Sequence, residues 1–337
     1  MLRSFLTPLL AGENLSLNQS TQLFELIIQE ERDPVLLSAI LAALKVRGET
    51  ADEMAGAAMA LLKHAAPFPR PDYDFADIVG TGGDAHNTIN ISTASAITAA
   101  ACGFKVAKHG SSGVSSLTGA SDVLTQLGVN VQLSAERARK ALDDIGLCFL
   151  FAPQYHAGMR HARAVRQALK TPTIFNLLGP LVNPARPSKH LMGVYHPKFI
   201  QPAIDTLHRL GVPHAAVVHG AGLDEVGLHG VTQVAELQGG RIEHYTLTAS
   251  DFGLPAHPIS AIQGGDPATN AHLLQALLSG SGAAAHVDAV AANVALLMRL
   301  FGHRQLKDNV ERVKTVLSSG APYQTLLQLQ QASLPSS

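Results

Sequence analysis

Tryptophan is absent from the 337 residues, cysteine occurs twice, and only 15% of the residues are charged. Two cysteines without metal-ligand spacing, Cys102 and Cys148, exclude a disulfide framework and a thiolate zinc site. Both sit in apolar runs, as buried thiols of a reducing compartment do, so a cytoplasmic protein is expected. No apolar run is long and uninterrupted enough to span a bilayer, and Met1-Leu2-Arg3-Ser4 does not open a secretory leader with an apolar core and a cleavage site. A formal charge of −1 removes the basic footprint that nucleic acid or an anionic membrane would need. The ligand is therefore expected to be small, with any phosphate on it held by local donors. Scarce charge beside 46% apolar residues leaves more apolar surface than a monomer hides, which predicts an oligomer.

What the chain does carry is periodicity. From Ser16 to about Ala66 apolar residues recur at helical spacing (Leu23, Ile27, Ile28; Leu36, Leu37, Ile40, Leu41, Leu44), broken at Asp33-Pro34 and Gly48. Pro67-Phe68-Pro69-Arg70-Pro71 is a stiff linker, because proline fixes φ and ends helices. Beyond it strands and helices alternate: Phe75–Val79, a helix from Thr93, Lys105–Ala107, a helix from Ser121, Val129–Gln132, Ala135–Ile145, Cys148–Phe151 and a helix through Arg166. Met192–Tyr195, a helix Pro197–Leu210 and Ala215–His219 continue the series. Val234–Leu237 and Ile242–Leu247 read as a hairpin about Gly239-Gly240, and helices near Ala271–Leu278 and Val287–Leu300 follow. The fold class predicted is α/β, a mostly parallel central sheet covered by helices, with a smaller N-terminal all-helical domain over 1–70 and the α/β domain over 71–337.

The most informative stretch is Asp77-Ile78-Val79-Gly80-Thr81-Gly82-Gly83-Asp84, an apolar strand feeding into three glycines and a carboxylate, with Asn90-Ile91-Ser92-Thr93 opening a helix. Glycine lets backbone approach a ligand closely, and a helix start offers unpaired N–H donors to an anion, so the loop reads as a phosphate cradle. It is neither the spaced-glycine dinucleotide fingerprint nor a Walker loop. A carboxylate at Asp84 suits ribose hydroxyls or a bridging divalent cation better than phosphate itself; the plainer alternative is a glycine-rich turn capped by Asp84. Lys108-His109-Gly110 ends a second apolar strand, where Lys108 acts as a point charge on phosphate and Ser115 and Ser116 donate from the same loop. His109 is read either as an acceptor contact or as a base, against the background of 16 histidines in the chain. Arg160, Arg163 and Arg166 form a stripe at three-residue spacing on one helix, most of it solvated. Gly80–Asp84, Lys108–Gly110 and His219–Glu225 each follow a strand, so in an open α/β sheet the three meet at one site beyond the strand ends.

These motifs, in this order, resemble the anthranilate phosphoribosyltransferases of tryptophan biosynthesis. The similarity extends through Lys45-Val46-Arg47-Gly48-Glu49-Thr50, Ser121-Asp122-Val123-Leu124, Arg160–Arg166, Thr173–Pro184, Val218-His219-Gly220 with Asp224-Glu225, and the Asn293 region, which is nearly the whole chain. It implies transfer of phosphoribose from phosphoribosyl pyrophosphate (PRPP) to the amino group of anthranilate, with release of pyrophosphate and with magnesium (Mg2+). It also implies that a segment near 173–184 joins the helical domain, that substrates lie in the cleft between the domains, and, with the low charge, a homodimer formed by the helical domain. Carried over position by position, PRPP contacts fall on Gly80, Gly83, Asp84, Thr88, Asn90, Ile91, Ser92, Thr93, Lys108, His109, Gly110, Ser115, Ser116 and Ala120. Acceptor contacts fall on Gly80, Ser111 and Arg166, whose planar fork suits a carboxylate. Two adjacent acids in a glycine-flanked loop, Asp224 and Glu225, suit a magnesium that keeps phosphate and water ligands, and Ser92 joins them by resemblance.

The chain departs from the family in its second loop, where Lys-His-Gly-Asn-Arg is usual and Lys108-His109-Gly110-Ser111-Ser112-Gly113 stands. Ser111 lacks the amide that touches the acceptor, and Ser112 lacks a charge near the phosphates. Ala85 replaces a usual glycine after Asp84, read as a milder change. Two other functions remain beside transfer to anthranilate: a phosphoribosyltransferase with another aromatic amine acceptor, and a nucleic-acid-binding paralogue that has lost activity. The neutral charge and the acidic pair count against the paralogue. Pyrimidine nucleoside phosphorylases share the architecture but do not need the Val165-Arg166 and Phe175–Pro184 pattern.

Overall fold

A computed structural model of the chain describes residues 2–30, 32–113 and 117–334. Four helices come first: α1 (Leu2–Leu10), α2 (Leu17–Gln29), α3 (Pro34–Arg47) and α4 (Ala51–Lys63). Their starts satisfy the free N–H groups of a helix end. The Ser16 and Thr50 side chains accept from Gln19 N–H and Glu53 N–H in reciprocal capping boxes, and Asp33 caps α3 with Pro34 at its first position. Helix α1 lies ahead of the helical region read from the sequence. Its pattern is only three buried residues long, Leu2, Phe5 and Leu9, and Pro8 interrupts it.

The α/β part runs β1 (Ala76–Gly80), α5 (Ile91–Ala101), β2 (Val106–Gly110), α6 (Ala120–Gln126), α7 (Ala135–Ile145), β3 (Leu147–Phe151), α8 (Ala152–Tyr155), α9 (Arg163–Leu169), α10 (Ile174–Leu178), β4 (Lys189–Gly193), α11 (Ile200–Arg209), β5 (His214–Gly220), β6 (Thr232–Gln238) and β7 (Arg241–Leu247). It closes with α12 (Pro267–Leu278), α13 (Ala284–Leu300), α14 (Leu306–Ser318) and α15 (Ala321–Ser333). The seven strands lie in the order β3-β2-β1-β4-β5-β6-β7; the first five are parallel, and β6 and β7 add an antiparallel hairpin. Strand order therefore reverses between β1 and β4, and the crevice past their carboxyl ends, at Gly80 and Gly193, is where such a sheet receives a ligand.

Several expectations need correction. The strand at Val129–Gln132 does not form. Its donors go elsewhere: Val129 N–H to Leu124 O, Asn130 N–H to Ser333 Oγ and Gln132 N–H to Asn130 Oδ1. Strand β2 continues through Lys108-His109-Gly110, which pair with β3 instead of opening a loop. Arg160 lies in a 3₁₀ turn over Ala157–Ala162, so only Arg163 and Arg166 share α9. Helices α14 and α15 extend the chain beyond the two closing helices predicted.

Two apolar cores result. One packs α5, α13 and α15 on one face of the sheet. The other joins α2–α4 with Ile174–Val182, α11 and the opposite face of β4–β6 through Met192, Val217 and Leu237, so the helical bundle shares its core with the sheet.

Candidate active site

The loop after β1 turns on left-handed backbone, with φ of 67° at Gly82 and 87° at Gly83, conformations that a Cβ disfavours. Ala85 follows at φ 63°, so its methyl sits in the same disfavoured region and is not the mild replacement read from sequence. Asp84 Oδ1 accepts from His86 N–H (3.2 Å), as a turn-capping carboxylate does. At the start of α5 the Ile91 and Thr93 side chains are buried, which leaves only their backbone groups to face a ligand. Ser92 faces the site, its Oγ accepting from Lys108 Nζ (3.2 Å).

Asp224 stands at the switch point, held by glycines. A Cβ on Gly80 would lie 2.1 Å from Asp224 Oδ2, and one on Gly193 would lie 1.6 Å from Asp224 O. Gly82 N–H donates to Asp224 Oδ2 (2.6 Å). The acidic pair is thus no solvated turn: Asp224 is buried and Glu225 half-buried. Burial first and the Asp84 charge second push the Asp224 carboxyl up to about 7. Burial and Asp224 raise Glu225 well above the usual carboxylate range, while Lys108 and the Ser92 backbone N–H pull it back. Asn293, fully buried on α13, accepts from Val226 N–H (3.0 Å) and donates to Val226 O (3.3 Å), which pins the backbone next to the pair.

Lys108 lies beneath this cluster, 3% exposed, its Nζ donating to Ile78 O (2.7 Å) as well as to Ser92. Burial lowers its pKa, and Asp77, Glu225 and Asp224 oppose that shift. Among the described residues no three His, Cys, Asp or Glu side chains form a complete metal cage. Two crowded carboxylates and a hydroxyl at a strand end nonetheless fit magnesium, which takes one or two carboxylates and completes its shell with phosphate and water.

His109 extends the site toward the helical bundle. Its Nδ1 donates to Gly179 O (3.1 Å), and its buried Nε2 lone pair has no partner among the described residues. Burial, then His156, hold its pKa well below the ordinary histidine value, so it is a neutral acceptor and a weak base. Asn183 Nδ2 donates to Asp77 Oδ2 (2.8 Å) and to Ala107 O (2.8 Å), and His109 N–H donates to Asp77 Oδ1 (3.3 Å), so one buried carboxylate ties β1 to β2 and to the segment after α10.

Arg166 is half-buried with its guanidinium 5.2 Å from the centre of the Phe175 ring, and no hydrogen-bond or ion-pair partner holds it among the described residues. Arg160 and Arg163 are exposed. A cation that burial has partly desolvated and that lacks a counter-ion is prepared for a carboxylate.

In the second loop Ser112 Oγ pairs with Ser121 Oγ (3.0 Å), and Asp122 Oδ2 accepts from Gly113 N–H and Gly119 N–H (2.8 and 2.9 Å). The Ser112 hydroxyl therefore turns to the start of α6. Ser111 is half-buried, and its carbonyl accepts from Ser121 N–H (3.3 Å). Gly110 packs where a Cβ would meet the Phe149 ring (2.9 Å) and the Ala120 methyl (3.1 Å). Ser115 and Ser116 lie outside the described residues.

Residues that sequence reading did not single out complete the setting. Asp77 and Asn183 stand in the sequence only as members of motifs, and Asn270 on α12 belongs to none; its amide donates to Asn90 Oδ1 (2.8 Å) and to Thr88 O (3.4 Å). An asparagine at helical spacing from Leu274 and Leu277, on the apolar face of the run, is the signal that marks it.

The family model described as "Glycosyl transferase family, a/b domain" matches residues 72–323, and that described as "Glycosyl transferase family, helical bundle domain" matches residues 3–65. An anthranilate phosphoribosyltransferase of Vibrio parahaemolyticus is 57% identical over 328 residues, 97% of this chain and 99% of that protein. The crystal structure of anthranilate phosphoribosyltransferase from Thermus thermophilus superposes with a TM-score of 0.91 at 38% identity, covering 97% of this chain and 98% of that one. The Saccharomyces cerevisiae anthranilate phosphoribosyltransferase, in complex with PRPP and Mg, gives 0.89 at 30% identity over 98% of this chain and 97% of that one. With two family models that together span nearly its whole length and relatives of this identity, the chain belongs to this glycosyl transferase family and, within it, to the anthranilate phosphoribosyltransferases.

Proposed function

We propose that the chain transfers phosphoribose from PRPP to the amino nitrogen of anthranilate at the β1–β4 switch point, in tryptophan biosynthesis. The observation that carries the assignment of residues is the acidic pair, Asp224 buried and Glu225 half-buried, set beside Ser92 and Lys108. Backbone N–H groups of the Gly80–Asp84 loop and of the α5 start receive the phosphates, and Asp84 the ribose hydroxyls. Asp224, Glu225 and Ser92 hold magnesium, which when bound supplies positive charge to the oxygens of the leaving pyrophosphate.

Arg166 clamps the anthranilate carboxylate and so orients the amine. The C–O bond to pyrophosphate breaks with its electron pair, the amine nitrogen forms the new C–N bond, and the proton it sheds passes to solvent. An aromatic amine is nucleophilic when neutral, so orientation suffices where His109 is too weak a base. In this reading 1–70, joined by the segment near 173–184, is the helical domain, 71–337 is the α/β domain, and the protein works in the cytoplasm as a homodimer. Two free buried thiols support that compartment.

Purified protein, magnesium and PRPP mixed with a panel of aromatic amines should release pyrophosphate fastest with anthranilate. A faster rate with another amine would move the acceptor assignment. Arg166→Ala should lower kcat/KM for anthranilate by about 2 kcal/mol in transition-state terms while PRPP binding, followed by titration, is spared. Asp224→Asn with Glu225→Gln should cut turnover more than about tenfold even at saturating magnesium.

A further inference from the structure

We infer that Asn270 is a positioning residue for the diphosphate end of PRPP, an inference that rests on the reading above. Asn90 occupies the N-cap of α5, where an asparagine side chain ordinarily accepts from the first-turn N–H groups of its own helix. Here it makes no such bond. Its Oδ1 accepts from Asn270 Nδ2 (2.8 Å), and its own Nδ2 donates to Thr118 O (3.2 Å). Asn270 is 1% exposed and fixed at its other end, its Oδ1 accepting from Gly265 N–H (2.8 Å). Thr118 Oγ1 donates to Gly265 O (2.8 Å), which closes a ring of contacts among the α5 start, the loop before α6 and the turn before α12. The approach is built into the backbone: a Cβ on Gly264 would lie 2.5 Å from both Asn270 Oδ1 and Thr88 O.

The consequence is that the amide best placed to cap α5 is drawn off it: the Ser92 N–H is left to the Glu225 carboxylate, and the Thr93 N–H carries no side-chain cap. Without Asn270 the Asn90 side chain is free to turn back and occupy those donors, in competition with the diphosphate.

The test is PRPP titration by calorimetry with magnesium and no acceptor, alongside steady-state kinetics. Asn270→Ala should weaken PRPP binding roughly tenfold, the worth of one hydrogen bond in such a setting, and change KM for anthranilate little. Asn270→Asp keeps an acceptor for Gly265 N–H but has no donor for Asn90 and sets a buried carboxylate against Asn90 Oδ1 and Thr88 O, so it should show at least the same PRPP loss with a larger fall in melting temperature. The double variant with Asn90→Ala should bind PRPP no worse than the weaker single variant, because both act through one side chain. PRPP affinity within about twofold of wild type in either folded variant, fully additive losses, or parallel losses for both substrates would overturn the inference. So would failure of both variants to fold, which would make Asn270 structural. If wild-type protein releases no pyrophosphate from PRPP with anthranilate, the functional reading falls instead, whatever Asn270 does.

Discussion

Ala85 and Ala221 are the two alanines with left-handed backbone among the described residues, at φ 63° and 50°, and they sit in the two loops that meet at the switch point. A methyl there costs roughly 1–2 kcal/mol, part of which glycine would return as unfolded-chain entropy. Ala85→Gly should therefore raise unfolding stability by about 0.5–1 kcal/mol, read from the denaturant midpoint; no gain would mean the loop relaxes around the methyl. At this scale the sequence was informative about chemistry and poor about geometry. The carboxylates at 84, 224 and 225 were legible because glycines flank them after apolar strands. The bonds that orient them were not: Asn270 and Asn90 are 180 residues apart, and no local spacing encodes such a contact. Lys108 was legible as a charge, but its burial beneath Ser92 follows from β2 running on to Gly110, which a period-two reading of a five-residue strand cannot fix.

Among the elements, β4 carries one source of acid sensitivity. His190 lies on it 2% exposed, its Nε2 without a partner among the described residues, and burial holds its pKa down to about 4. Between pH 6.5 and about 4 the unfolded chain takes up a proton that folded His190 refuses. Its contribution is thus complete above pH 6.5 and is lost as pH falls through that window, by an amount on the order of 3 kcal/mol. His190→Gln should flatten the dependence of unfolding free energy on pH over that range, whatever it does to stability at neutral pH; an unchanged slope would assign the acid sensitivity elsewhere. The strands other than β4, read at Met192–Tyr195 and found at Lys189–Gly193, and the long helices up to α13 were legible because each repeats one period for several residues; α7 was read with its observed ends, Ala135 and Ile145, whereas α14 and α15 were not read. Helix α1, the 3₁₀ turn before α9 and the irregular 127–134 segment were not, since each is too short or too dependent on distant partners for its period to speak.

For the whole molecule the low charge has a location. Leu10, Val35 and Val46, on the packed helices α1 and α3, are 71%, 74% and 89% exposed. Light scattering at micromolar concentration should give a dimer mass, and Val46→Glu with Leu10→Glu should shift it to monomer; a monomeric wild type would contradict the proposed assembly. The sheet order has a further consequence, for how the chain emerges during synthesis. β1 pairs with β4 from residue 76 to residue 189, a separation of about 110 residues, so at about 5–20 residues per second its β4 edge stays bare for roughly 6–20 s. A carboxylate within a strand discourages pairing with stray chains. Asp77 supplies one, and the partner that satisfies it, Asn183, leaves the ribosome just ahead of β4 itself. The carboxylate that ties the finished site together thus also guards the open edge of the strand until its neighbour arrives.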